Sequence, residues 1–151
     1  MIRIDEITTP VGTAYLVLDG ATVKSLRFDQ KLEGERVRSE AGDRVRAWLD
    51  GEMQAFEGLE LAPDGTPFQQ KVWSLLREIP AGETRTYGQL AAQMGSHPRA
   101  VGSANGSNPI SIIVPCHRVI GKNGSLTGYA WGLHRKEWLL RHEQSLLRRA
   151  G

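Results

Sequence analysis

The chain has 151 residues, 40% of them apolar, with one cysteine and a formal net charge of +2. That length suits one domain or two small ones and can bury a real core. No stretch approaches the roughly 18 apolar residues of a membrane span, the N-terminus lacks a signal-peptide core, and one thiol excludes an internal disulfide and any multi-cysteine metal site. A soluble, cytoplasmic protein with no metal and no cofactor is expected.

Residues 1–28 predict strands. Ile2-Arg3-Ile4, Thr13–Leu18 and Val23–Phe28 carry β-branched and aromatic residues, and Asp19-Gly20 is a hairpin signal. Residues 39–56 read as a helix, with Val45, Trp48, Leu49 and Met53 at helical spacing and Gly51 as a weak point. A linker bearing Gly and Pro follows at 57–67. A second unit starts with the helix at Pro67, whose apolar face is Phe68, Val72, Leu75, Leu76 and Ile79. Pro80-Ala81-Gly82-Glu83 ends it. Two short helices, 86–94 and Arg99 to Ser107, flank the turn Gly95-Ser96-His97-Pro98 and read as a helix-turn-helix. Ile110–Val114 is a buried apolar run. The last helix starts at Trp131, with Leu133, Trp138, Leu139 and Leu146 facing inward. The expected domains are 1–62 and 66–151.

Charge is unevenly spread. From Arg85 onward the acidic residues are only Glu137 and Glu143, against nine Lys and Arg. A basic C-terminal half fits a nucleic-acid binder, with an ordinary solvated face as the alternative. The helix from Arg99 adds to this. Arg99-Ala100-Val101-Gly102-Ser103-Ala104-Asn105-Gly106-Ser107 is made almost wholly of small residues. Two glycines cost about 1 kcal/mol each there against alanine. A slim helix fits the minor groove, about 6 Å wide, with Arg99 placed to insert as a wedge. Close helix packing within the protein is the other reading.

Cys116 stands in Pro115-Cys116-His117-Arg118-Val119. A lone cysteine is most often a small buried hydrophobe. A neighbouring imidazole and arginine favour the thiolate, the nucleophilic form. In an extended chain Cys116 and His117 point to opposite faces, so they meet only across a turn or through a water. Glu143 is a candidate to orient the histidine, and Asn108 a candidate to stiffen the site.

These residues carry a resemblance. Tyr87-Gly88-Gln89-Leu90-Ala91, Arg99-Ala100-Val101-Gly102, Asn108-Pro109, Pro115–Val119, Gly128-Tyr129, Glu137-Trp138-Leu139-Leu140 and Glu143 occur in the order of the O6-alkylguanine-DNA alkyltransferases, which the chain resembles from Phe68 to Glu143. The resemblance implies an α/β N-terminal ribonuclease-H-like domain and a mostly α, winged-helix-like C-terminal domain. It implies irreversible, single-turnover transfer of methyl or other small alkyl groups from guanine O6 in DNA to Cys116, with thymine O4 left open as a second source.

The resemblance also assigns roles. Through a water, His117 takes the thiol proton, Glu143 orients His117, Asn108 braces the turn, and Tyr87 protonates the departing base. Arg99 fills the gap left by the flipped base. Ser96, Gly88, Ala100, Gly102, Ser103 and Lys122 join Tyr87 and Arg99 as candidate DNA contacts. Pro115, Val119, Tyr129, Ala130 and Trp131 line the pocket, and the Trp131 indole is expected to narrow it. The partner is double-stranded DNA bound through the minor groove by a monomer, with cooperativity open. The alternative is a non-catalytic protein that binds alkylated bases and signals to other repair systems. A winged-helix regulator and a cysteine hydrolase are further readings.

Overall fold

Three long strands open the computed structural model, which describes residues 2–29 and 31–150, the side chains of 148–150 excepted. They are β1 (Ile2–Thr9), β2 (Gly12–Asp19) and β3 (Thr22–Phe28). A short β4 (Glu35–Arg36) pairs parallel with β1, giving the order β3-β2-β1-β4. β2 alternates as a half-buried strand should: Ala14, Leu16 and Leu18 face the core, while Tyr15 and Val17 are half-buried. A bulge shifts the β2–β3 register, so Leu16 pairs with Leu26 but Leu18 with Val23. The extra residue lets Val23 and Leu26, three apart, both turn inward.

Helix α1 (Glu40–Leu49) contributes Val45 and Trp48 to this core. Ser39 caps it, and buried Asp5 of β1 accepts from the Ser39 amide and hydroxyl, each at 2.8 Å, and from Arg46 at 2.5 Å. α1 stops seven residues short of the expected end, because Gly51 turns the chain at φ 118°. Phe56 instead returns to stack on Trp48, with ring centroids 5.8 Å apart.

The chain divides into two compact units, residues 1–64 with 109–113, and 65–108 with 114–151. The segment 109–113 therefore belongs with the strands: Leu26 donates to the Pro109 carbonyl and Ser111 to that of Leu26. The apolar run is buried but is no strand, since Ile112 sits at φ 71°, a costly conformation for a β-branched residue.

In the second unit, α2 (Pro67–Arg77) begins with a capping box between Thr66 and Gln69. β5 (Arg85–Thr86) leads into α3 (Tyr87–Met94), capped the same way by Thr86 and Gln89. Gly95, left-handed at φ 64°, ends α3 and makes the tight turn to α4 (Pro98–Gly106). β6 (Val119–Ile120) pairs parallel with β5. The last helix, α5 (Leu133–Ala150), starts two residues later than expected, after Gly132 at φ 96°. Leu133, expected inside, is 48% exposed, while Lys136, Leu139 and Glu143 form the buried face. Those positions repeat at three and four residues, but two of the three are charged, which hides the face from an apolar pattern. No described helix is long and apolar enough to cross a membrane.

Candidate active site

Cys116 opens a single 3-10 turn, Cys116–Arg118. An extended chain would send Cys116 and His117 to opposite faces; the backbone here turns instead, entered from Pro115 at φ −82° and ψ 64°. Its amides are satisfied locally, Cys116 N on Val114 O at 2.8 Å and Arg118 N on Pro115 O at 3.0 Å. The carbonyls of Cys116 and of Val114 before it accept from side chains. Buried Asn108 donates to Val114 O at 2.9 Å, and buried Asn105 donates to Cys116 O at 3.4 Å. The Asn108 amide also bonds the thiol. The β5–β6 pair sets Thr86 beside Ile120, which brings Tyr87 to the turn.

Behind the thiol lies a buried polar network. His117 Nε2 is 3.2 Å from Glu143 Oε1, and both side chains are fully buried. Arg118 forks onto the same carboxylate, with Nε 3.1 Å from Oε1 and 3.0 Å from Oε2 and an Nη2 contact besides, and its Nη1 donates to Ile79 O at 2.6 Å. Burial works to raise the Glu143 carboxyl, but His117 and Arg118 outweigh it and hold it at about 2. His117 is held below its ordinary value by burial, against the pull of Glu143. The imidazole is therefore a neutral base.

The thiol departs from expectation. Burial pushes Cys116 up to about 11, more than the Asn108 bond and the Lys136 charge pull it down. The resting sulfur is a protonated, quiet thiol, since desolvation disfavours the anion. A nucleophile here must be made by taking its proton at the moment of use.

The side of the site that carries Tyr87 and Thr127 is less buried. Tyr87 is half-buried at the start of α3; its hydroxyl donates to Thr127 O at 3.3 Å and bonds Asn105. A Cβ on Gly128 would lie 3.5 Å from that hydroxyl, so the chain passes close to the phenol. On α4, Val101, Ala104 and Asn105 turn inward, and Trp73 Nε1 donates to Ala104 O at 2.8 Å. Arg99, Ala100 and Ser103 face outward. The small residues of α4 thus serve close packing on one side and leave a slim surface on the other. Exposed His97 caps α4 by accepting from Arg99 N at 3.1 Å. Gly88 and Lys122 are exposed and Ser96 and Gly102 half-buried. Among the expected pocket residues, Pro115, Val119 and Tyr129 are buried, Trp131 half-buried and Ala130 exposed.

Three participants escaped the sequence reading. By sequence, Arg118 is only added positive charge, Asn105 part of the small-residue helix, and Lys136 one of the nine basic residues of the C-terminal half. The seven-residue spacing of Lys136 and Glu143, with Leu139 between, is the signal that places both on one helical face. Among the described residues no group of three or more His, Cys, Asp or Glu side chains could hold a metal ion.

Residues 67–145 match the family model described as 6-O-methylguanine DNA methyltransferase, DNA binding domain. A methylated-DNA–protein-cysteine methyltransferase of Salmonella typhimurium is 46% identical over 97% of this chain and 99% of its own length. One from Mycobacterium tuberculosis is also 46% identical, over 96% of this chain and 94% of its own. The fold is similar to a crystal structure of M. tuberculosis OGT in complex with DNA, with a TM-score of 0.87 at 43% identity over 95% of this chain and 94% of that one. It is also similar to the O6-methylguanine-DNA methyltransferase of Pyrococcus kodakaraensis, with a TM-score of 0.75 at 27% identity over 95% and 99%.

Proposed function

From the premise that this chain belongs to the methylated-DNA–protein-cysteine methyltransferases, we propose that it repairs alkylated DNA by direct reversal, moving a methyl or other small alkyl group from guanine O6 onto Cys116. The observation that carries the residue assignment is the buried turn that sets Cys116 against Asn108, with neutral His117 and anionic Glu143 behind it.

The thiol proton passes to His117 through a water, and Glu143 steadies the imidazolium that forms. The sulfur attacks the alkyl carbon in line, a carbon–sulfur bond forms, and the carbon–O6 bond breaks. The departing guanine takes a proton from the Tyr87 hydroxyl, so it leaves as the neutral base. Burial holds the Tyr87 proton firmly, keeping the phenol in its donor form until then. The product thioether is chemically stable, and nothing beside it is built to cleave it, so each molecule acts once.

A base in a duplex hides its O6 from any nucleophile, so it must be flipped out, at a cost of a few kcal/mol. We assign that work to α4, laid in the minor groove with Arg99 filling the vacated stack. α3, α4 and the exposed segment around Lys122 form the winged-helix-like DNA-binding unit. The strand-rich N-terminal unit is read as ribonuclease-H-like. A consumable free thiol is suited to reducing conditions, which supports a cytoplasmic protein, and we read it as acting as a monomer on double-stranded DNA.

Mass spectrometry tests this reading. Incubation with duplex DNA carrying O6-methylguanine should add one methyl to the Cys116 peptide, with product never exceeding protein. An unmodified Cys116 beside bound DNA would mean lesion binding alone. Product in catalytic excess would mean hydrolysis.

A further inference from the structure

Helix α5 buries more charge than the relay uses. Arg118 and Glu143 offset one another, but Lys136 is fully buried with no carboxylate partner among the described residues. Its Nζ donates to Thr127 O at 2.7 Å, the same carbonyl that accepts from Tyr87. Burial pulls the ammonium down to about 8, and the ionised form of Cys116 would draw it back up. A buried charge without an ion partner is costly, and an apolar residue of equal length would suit folding better. A lysine at such a place points to a role outside stability.

We propose that Lys136 is a positioning residue for the transfer: its ammonium draws the negative charge that forms on Cys116 as the proton leaves, and its bond to Thr127 O fixes the segment that carries Tyr129. This rests on the alkyl-transfer reading. The charge balance supports it. When the thiol proton moves to His117, the turn gains a thiolate and an imidazolium. Glu143 faces the imidazolium and Arg118 is already forked on Glu143, so Lys136 is the cation left to face the sulfur. The titratable groups that interact with it are Cys116 and His117 of the 3-10 turn, and Tyr87 of α3 shares its Thr127 acceptor. Lys136 exchanges no proton in the step. Its second contact explains why Thr127 O keeps a donor when Tyr87 turns toward substrate.

The test compares Lys136→Met and Lys136→Arg with the wild type in the full chain. Three readouts serve: methylation of the Cys116 peptide by methyl iodide across pH 6–10, single-turnover transfer from methylated duplex DNA, and thermal melting. Lys136→Met should raise the pH at which the thiol reacts by about one unit, which is about tenfold in rate at pH 7, and slow DNA repair in parallel. It should melt at or above the wild type. Lys136→Arg keeps the charge and should keep most of the thiol reactivity. Unchanged methyl iodide reactivity in Lys136→Met overturns the proposal. So does a Lys136→Met that unfolds or melts well below the wild type, since the lysine would then be a structural prop. The methyl iodide arm needs no DNA, so a wild type that repairs no DNA would sink the functional reading separately.

Discussion

Arg118→Met is the sharpest probe of the buried network. The substitution keeps the length and packing of the side chain but removes the fork on Glu143 and the donor to Ile79 O. Glu143 is fully buried, so its carboxylate is left with the neutral His117 imidazole as its remaining partner. Breaking a buried pair from one side costs about 3–5 kcal/mol. For a chain of this size each kcal/mol is worth roughly 2–4 °C of melting temperature, so a fall of about 10 °C is expected. The chemistry should suffer too. The stranded carboxylate recovers by drawing a proton onto itself or onto His117, and either outcome removes the neutral base. Single-turnover transfer should drop at pH 7 and recover in part as the pH rises. In Arg118→Met/Glu143→Gln the stranded charge is gone, so the double variant should melt above Arg118→Met alone while staying inactive. Melting within about 2 °C of the wild type, or a double variant no more stable than the single, would refute the reasoning.

Acid should unfold the second unit through the same carboxylate. Glu143 is lowered from 4.5 to about 2 on folding, so its contribution of roughly 3 kcal/mol is complete above pH 4.5 and lost as pH falls toward 2. Melting curves of Glu143→Gln should show a shallower loss over that window. Arg99→Ala should slow transfer from duplex DNA by tenfold or more yet leave transfer from the free base O6-methylguanine unchanged, because no base has to be flipped; equal slowing on both substrates would remove Arg99 from the flipping step. Trp131→Gly should speed transfer of a benzyl group relative to methyl, and a constant ratio in both proteins would mean that the indole does not limit the pocket.

Much of this was legible in the residues. The β2–β3 hairpin is announced by Asp19-Gly20 and the helix at Pro67 by its apolar periodicity, while the capping boxes of Thr66 with Gln69 and Thr86 with Gln89 are further start signals that the sequence carries. Cys116, His117, Asn108 and Glu143 could be named because the reaction needs those chemical types. Their geometry could not, because it depends on a 3-10 turn that neighbouring residues do not announce. The protonation of Cys116 was misread for a related reason. Sequence neighbours suggested a positive setting, whereas burial, a property of the folded surroundings, outweighs it. Lys136 and Arg118 were missed because charged residues are expected on surfaces, and only tertiary packing reveals that α5 turns a cation inward. Leu133 is the mirror error, an apolar residue left in solvent because Gly132 delays the helix.

The quiet thiol bears on shelf life. Cys116 is 6% exposed and held at about 11, so at pH 7 the resting sulfur is almost wholly the protonated thiol. Peroxides and stray electrophiles react with thiolates, and a reagent that works once is ruined by a single such encounter. Keeping the sulfur protonated until a base is seated lets an idle pool of the protein survive unspent between episodes of damage.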